Sequence, residues 1–285
     1  MSPERTAAAP AAEKPQERED LKTLAREMRR DILTMIYEAG SGHPGGSLSI
    51  IDILTVLYWR VMRHDPERPD WPDRDRLVLS KGHACPALYA VLSRAGYFPR
   101  EQLWTLRKLG SPVQGHPDRI RLPGIEASTG SLGQGLSIAM GMALAGMMDR
   151  KSYRVFAILG DGELQEGQCW EAFMSAPKFG LDRLVAIVDS NGGQIDGHVR
   201  DVMNVEPLPE KFRSFGWDTV EIDGHDFAAV ERAIDSAVKS AAGRPHMIVA
   251  RTVKGKGVSF MEDDPAWHGK APKKDELEKA LKELS

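Results

Sequence analysis

The sequence predicts an α/β fold: a mostly parallel sheet with helices on both faces. Three observations carry that prediction. Val155–Leu159 and Leu184–Val188 are continuous apolar runs, as expected of strands buried on both sides. Segments with helical periodicity alternate with such runs along the chain. Asp161 and Asn191, just beyond the two runs, are 30 residues apart (191 − 161), about what a strand–helix–strand crossover requires.

Leu21 to Ala39 places Leu24, Met28, Ile32, Met35 and Ile36 at helical spacing and stops at Gly40-Ser41-Gly42. Ser47 or Ser49, after His43-Pro44-Gly45-Gly46, is expected to cap a helix from about Ile50 to Arg63. Residues 65–75 form a Pro- and Asp-rich loop. Leu77-Val78-Leu79 is a short strand, followed by Ser80-Lys81-Gly82-His83 and a helix to about Gly96. Residues 111–127, with Pro112, Gly115, Pro117, Pro123 and Gly124, read as irregular. Thr129-Gly130-Ser131-Leu132-Gly133-Gln134-Gly135 opens a helix over Leu136–Met148, too short to span a bilayer. Its Gly141, Ala143, Ala145 and Gly146 predict close packing on all sides. The strand at Val155–Leu159 turns at Gly160-Asp161-Gly162 into a helix over Leu164–Met174. Trp217–Ile222 and Met247–Thr252 are further strands, with a helix over Asp226–Ala242 between them. The loop Lys254-Gly255-Lys256-Gly257 and an amphipathic helix over Lys274–Leu284 close the chain.

A chain of 285 residues can bury a substantial core, as one large domain or two small ones. A net charge of −3 with 28% charged residues gives no sign of nucleic-acid or anionic-membrane binding. The two cysteines, Cys85 and Cys169, make no disulfide framework, and a cytoplasmic setting is the simplest. Residues 1–20, rich in Ala, Pro, Glu and Arg, are expected to be a disordered arm and not a signal peptide, leaving 21–285 as the folded domain. No internal repeat is present.

Gly160-Asp161-Gly162-Glu163 and Asn191 carry the chemistry. Two parallel neighbouring strands would bring Asp161 and Asn191 to the carboxyl edge of one sheet, where open α/β sheets bind ligands. A carboxylate and an amide oxygen are hard ligands suited to Mg²⁺ bound to phosphate. The glycines let backbone approach a phosphate, and the following helix N-terminus favours an anion. A plain turn with a capping Asp and a turn Asn would use the same residues; the matched strand ends favour the site. Three of the eight histidines, His43, His83 and His116, sit in Gly/Pro-rich turns. A lone loop histidine is usually just solvated. Three in similar turns suggest hydrogen bonds to sugar hydroxyls or proton transfer near neutral pH. No Cys/His spacing resembles a structural zinc site.

Gly42-His43-Pro44-Gly45, Ser80-Lys81-Gly82-His83-Ala84, Gln114-Gly115-His116-Pro117, Thr129 through Gly135, and Gly160-Asp161-Gly162 through Asn191 occur in the order seen in transketolases. From about residue 21 to its end the chain resembles the cofactor-diphosphate-binding part of that family. A full-length member is more than twice as long and includes a pyrimidine-binding domain with the glutamate that activates the cofactor. The resemblance therefore implies the N-terminal subunit of a split transketolase, with the thiamine diphosphate-binding fold, working in carbohydrate metabolism of the pentose phosphate type. It implies thiamine diphosphate and a divalent metal, Mg²⁺ or else Ca²⁺ or Mn²⁺, held by Asp161, Asn191 and the carbonyl of Gly193. It puts Gly130, Leu132, Gly162, Glu163, Glu166, Asn191 and Ile195 at the cofactor, with Glu166 also contacting a subunit interface. His43, His83 and His116 match substrate-channel histidines, and His268 is the local candidate for one more. The family often has a larger residue than Gly193, Pro instead of Ser131, and a pair of histidines where His268 stands alone.

The activity so implied is reversible transfer of a two-carbon glycolaldehyde unit from a ketose phosphate to an aldose phosphate. The expected partner is a C-terminal subunit, two copies of each chain forming a heterotetramer. The alternatives are a deoxyxylulose-phosphate synthase-like or pyruvate-dehydrogenase-like subunit, a transketolase acting on an unusual sugar, and a non-catalytic binding subunit. The three histidines favour sugar transfer over pyruvate decarboxylation.

Overall fold

The computed structural model describes residues 20–240 and 242–285; the expected N-terminal arm lies outside them except for Asp20. In chain order the elements are α1 (Leu21–Ala39), α2 (Pro44–Val56), β1 (Arg76–Leu79), α3 (Cys85–Arg94), α4 (Gln134–Met148), β2 (Val155–Gly160), α5 (Gly167–Lys178), β3 (Leu184–Ser190), β4 (Gly193–Gln194), β5 (Gly197–His198), α6 (Val199–Val202), α7 (Leu208–Ser214), β6 (Asp218–Asp223), α8 (Phe227–Lys239), β7 (His246–Arg251) and α9 (Lys274–Glu283). Asp20 caps α1 by accepting from Lys22 N and Thr23 N, and Gly40 ends it in the left-handed conformation.

Five strands form one sheet in the order β1-β2-β3-β7-β6, every pairing parallel. Alternation along the strands divides the core in two. Leu77, Phe156, Ile158, Ile187 and Ile248 face one layer, which includes residues of α1, α2, α3 and α8. Val78, Ala157, Leu159, Val188 and Val249 face the other, with α4, α5 and α7. β2 and β3 are buried along their whole length, while edge strand β6 keeps Asp218, Glu221 and Asp223 outside. β7, the last strand made, lies between β3 and β6. Pairing of Gly160 with Asp189 sets the ends of β2 and β3 level, so Asp161 and Asn191 do share the carboxyl edge.

Three local expectations are corrected. α2 begins at Pro44, six residues before the expected Ile50, because Pro suits the first helical position. Ser47 and Ser49 are therefore inside the helix and cap nothing; Ser47 Oγ donates to His43 O at 2.7 Å. After the Gly160-Asp161-Gly162 turn the chain makes a 3₁₀ turn over Gly162–Gln165, and α5 starts at Gly167. α4 is packed on one side only: Gly135, Leu136, Ala139, Ala143 and Gly146 are buried, whereas Ile138, Gly141, Ala145, Met147 and Met148 are exposed. Gly146 allows the close approach on the buried side, since a Cβ there would lie 2.7 Å from the Tyr153 ring.

Candidate cofactor and substrate site

The carboxyl ends of β1, β2, β3 and β7 deliver Lys81, Asp161, Asp189 with Asn191, and Thr252 with Lys254. Asp189 ties these ends together. Its fully buried carboxylate accepts from Lys81 Nζ at 2.5 Å, Ser49 Oγ at 2.6 Å and Asn191 Nδ2 at 2.7 Å, and from the Thr252 hydroxyl. Burial would raise its pKa, but Lys81 and the hydroxyl donors outweigh burial and hold it below the usual carboxylate range.

Asp161 and Asn191, expected to hold a metal, present oxygens chemically suited to one. With Asn191 Nδ2 committed to Asp189, Oδ1 is left as the acceptor and takes Gly193 N–H at 3.0 Å. Asp161 accepts from Gly162 N at 2.9 Å and Gly192 N at 2.6 Å, which fixes its orientation and leaves lone pairs free. Burial, and then the charge of Asp189, push its carboxyl up to about 6. A buried carboxylate so disfavoured is one that a cation would stabilise. The Gly193 carbonyl accepts from Lys254 Nζ at 2.8 Å. A Cβ on Gly193 would lie 2.8 Å from Lys254 Cδ, so glycine leaves room for this lysine. Among the described residues no three His, Cys, Asp or Glu side chains converge as a metal group. The expected set of one carboxylate, one amide and one carbonyl contains a single such side chain. A depression of about 340 Å³ opens beside Asp161 and Asn191.

Glu163, expected at the cofactor, has its own partners within the chain. Its carboxylate turns inward, accepting from the Ser80 hydroxyl, from Gly133 N at 2.8 Å and from Gly160 N at 3.0 Å. It is buried, and these three contacts clamp the β2 turn to the loop before α4. Gly130 and Gly133 in that loop both have positive φ, 152° and 84°. A Cβ on Gly130 would strike the His116 ring at 2.9 Å.

The four histidines gather at one place. Ring centroids are 5.2 Å apart for His43–His83, 6.4 Å for His43–His116, 5.4 Å for His43–His268 and 5.0 Å for His83–His268. Burial is the main cause lowering all four pKa values, with nearby positive charge adding to it. His43 falls to about 4 beside Arg107, and His268 to about 3 beside Lys254. His83 lies well below its ordinary value, with Lys81 adding to burial, and His116 is lowered by burial and Arg107. The cluster is therefore neutral near pH 7. Arg107 Nη2 lies 3.5 Å from His43 Nδ1, and Lys254 Nζ lies 3.0 Å from His268 Nδ1. A guanidinium or ammonium can only donate, so Nδ1 is the acceptor in both rings and Nε2 carries the proton. Arg107 reaches this position from a left-handed backbone conformation, φ 60°.

Asp161, Asn191, Gly193, Gly162 and the four histidines thus lie along one edge. The Gly162 N–H, expected to face a diphosphate, is engaged by the adjacent Asp161 carboxylate. Gly130 and Leu132 lie in the loop clamped by Glu163, where the Leu132 carbonyl accepts from Gln168 Nε2 at 2.7 Å. Ile195, in the β4–β5 hairpin, and Glu166, just before α5, are exposed. Lys81, Asp189, Lys254 and Arg107 were not singled out from sequence. Lys81, Asp189 and Lys254 follow or end predicted strands, so the strand-end rule applied to every strand would have found them.

The chain matches the family described as "Transketolase, thiamine diphosphate binding domain" over residues 21–285. It is 50% identical over 249 residues to a 6-deoxy-6-sulfo-D-fructose transketolase subunit from a Clostridium species, covering 87% of this chain and 90% of that one. It is 41% identical over 267 residues to an apulose-4-phosphate transketolase subunit from Phocaeicola vulgatus, covering 94% of each. Among solved structures, transketolase from Leishmania mexicana superposes with a TM-score of 0.88 at 32% identity, covering 93% of this chain but 41% of that one. The chain spans about two fifths of the full-length transketolases, such as the human enzyme, of which it covers 42%. On the strength of this match and of the strand-edge geometry, the chain belongs to the transketolase family as its thiamine diphosphate-binding, N-terminal part.

Proposed function

We propose that this chain is the N-terminal subunit of a two-chain transketolase. It transfers a two-carbon glycolaldehyde unit reversibly from a ketose phosphate, or a similarly anionic ketose, to an aldose phosphate, and needs a C-terminal partner subunit. The observation that carries this reading is the convergence of Asp161, Asn191 and the Gly193 carbonyl with four neutral histidines at one sheet edge. A non-catalytic binding subunit would not need both halves.

Asp161, Asn191 and Gly193 would hold Mg²⁺, or Ca²⁺ or Mn²⁺ in its place, and Lys254 would meet the diphosphate charge. When bound, thiamine diphosphate supplies the carbon nucleophile and the electron sink. His43 and His268 present Nε2–H, suited to donate to a sugar hydroxyl, and a neutral imidazole can take up a proton at the same edge. The exposed Ile195 and Glu166 fit surfaces that a partner would cover, in an assembly with two copies of each chain. Two free, buried cysteines suit the cytoplasm.

The 50% identity to a relative named for 6-deoxy-6-sulfo-D-fructose makes that sugar the first donor to test, beside xylulose 5-phosphate and apulose 4-phosphate. The test is glycolaldehyde transfer by this chain alone, by the partner alone and by the two together, with Mg²⁺ and thiamine diphosphate. Activity is expected only from the mixture. Turnover by this chain alone refutes the two-chain reading, and absence of metal-dependent cofactor binding in the complex favours a binding module.

A further inference from the structure

A buried ionic network lies beside the carboxyl ends of β6 and β7. Arg29 of α1 donates from both terminal nitrogens to Asp52 of α2, at 2.9 Å and 2.7 Å. Asp52 Oδ2 is 2.7 Å from His225 Nδ1, in the loop between β6 and α8. Burial opposes ionisation of Asp52, but the hydrogen bond from His225 and the charge of Arg29 keep its pKa lowered. The other ring nitrogen, His225 Nε2, is 2.9 Å from Val253 N–H. A backbone N–H can only donate, so Nε2 carries the lone pair and the proton is on Nδ1, facing Asp52.

This network ends on the backbone around Lys254. His225 pins Val253 N. Arg29 Nε donates to Lys256 O at 2.9 Å. Between those pins, Gly255 N donates to Gly45 O at 3.0 Å. Lys254 thus leaves a backbone held on both sides, and its ammonium reaches Gly193 O at 2.8 Å and His268 Nδ1 at 3.0 Å. A lysine has a long, flexible stem. Its reach is set by where its Cα is held and by the walls around it: a Cβ added to Gly45 or Gly193 would lie 3.0 Å or 2.8 Å from its stem.

We propose that His225 is a positioning residue for Lys254: Asp52 holds it as the Nδ1–H tautomer, and the Nε2 lone pair, by accepting from the Val253 N–H, fixes where the Lys254 ammonium meets the cofactor diphosphate. The proposal rests on the reading of Lys254 as a diphosphate contact given above.

Two substitutions divide the bridge. In His225→Asn the amide nitrogen stands where Nδ1 was and still donates to Asp52, but nothing accepts from Val253. In His225→Gln the amide oxygen stands where Nε2 was and still accepts from Val253. Binding of thiamine diphosphate with Mg²⁺ is titrated in the complex of full-length chain and partner subunit. The Asn variant is expected to bind about tenfold more weakly, and the Gln variant within about threefold of wild type. In a Lys254→Met background the Asn substitution adds no further loss. Equal affinity of both variants with wild type, equal loss in both, or full additivity with Lys254→Met overturns the proposal. Lys254→Met binding as tightly as wild type overturns the site reading itself, independently of any His225 result. Nitrogen NMR of wild-type His225 needs no variant: a proton on Nδ1 is expected, and a proton on Nε2 contradicts the bridge.

Discussion

Lys81 Nζ lies 2.5 Å from Asp189 Oδ2 in the interior of the sheet edge, with the two side chains 2% and 0% exposed. Removing one member of such a pair leaves the other charge buried without compensation. Lys81→Met is expected to destabilise the chain by about 3–5 kcal/mol in denaturant unfolding. Asp189→Asn, which keeps some of the hydrogen bonds but not the charge, leaves Lys81 uncompensated and is expected to do comparable damage. A loss under about 1 kcal/mol in both would show that water reaches the pair.

Asp161 stands in the opposite position, as a carboxylate raised to about 6 by burial and by Asp189. A carboxylate whose folded pKa is raised weakens the fold above that value, and the penalty is relieved as pH falls through it. Metal-free wild type is therefore expected to lose about 1–2 kcal/mol of stability relative to Asp161→Asn as pH rises from 4 to 7.5, whatever constant offset the lost N–H contact adds. The same variant is expected to bind thiamine diphosphate with Mg²⁺ about a hundredfold more weakly. Thermal melts across pH, and a cofactor titration in the complex, check the two halves separately.

His43, lowered to about 4, gives a second pH dependence of the other sign. Between about pH 6.5 and 4 an unfolded chain protonates this imidazole and the folded chain does not, so stability falls as pH falls through that window. His43→Asn is expected to flatten the decline of the melting temperature from pH 6.5 to 4. Parallel curves for variant and wild type would contradict the lowered pKa.

Gly135 packs against the chain after β1, and a Cβ there would lie 2.5 Å from Ser80 Cα. Backbone cannot swing aside as a side-chain tip can. Gly135→Ala is expected to cost about 3 kcal/mol or more, and to loosen the Ser80–Glu163 clamp. Unfolding in denaturant and amide exchange at Gly133 measure the two effects.

The chemistry at Asp161 and Asn191 was readable because β2 and β3 are unbroken apolar runs, each ending in polar residues. Their parallel register then made the two ends meet. The histidine turns were readable through the family resemblance, but their mutual distances were not, since His43 and His268 are far apart in sequence. The start of α2 was missed because Gly45 and Gly46 disfavour helix in isolation. Here Lys254, Lys81 and His83 crowd against that turn and leave no room for larger residues. Lys254 was legible only as part of a Gly-rich loop; insertion of β7 beside β3 carries it inward. The bare side of α4 was hidden by small residues all round the helix, which give no amphipathic contrast.

The place of β7 orders events during synthesis. The strand that fills the gap between β3 and β6 ends at Arg251 of a 285-residue chain, and Thr252 and Lys254 come directly after it. Until the ribosome has passed that point, β3 has an open edge and Asp189 lacks its Thr252 contact. Wedging a late strand into the middle of a sheet requires contacts between distant segments, which form slowly. The nascent chain therefore carries the Gly160-Asp161-Gly162 turn through the synthesis of 89 further residues (251 − 162) without a formed site. The strand edge that brings Asp161, Asn191 and Lys254 together is complete only after β7 has slotted home.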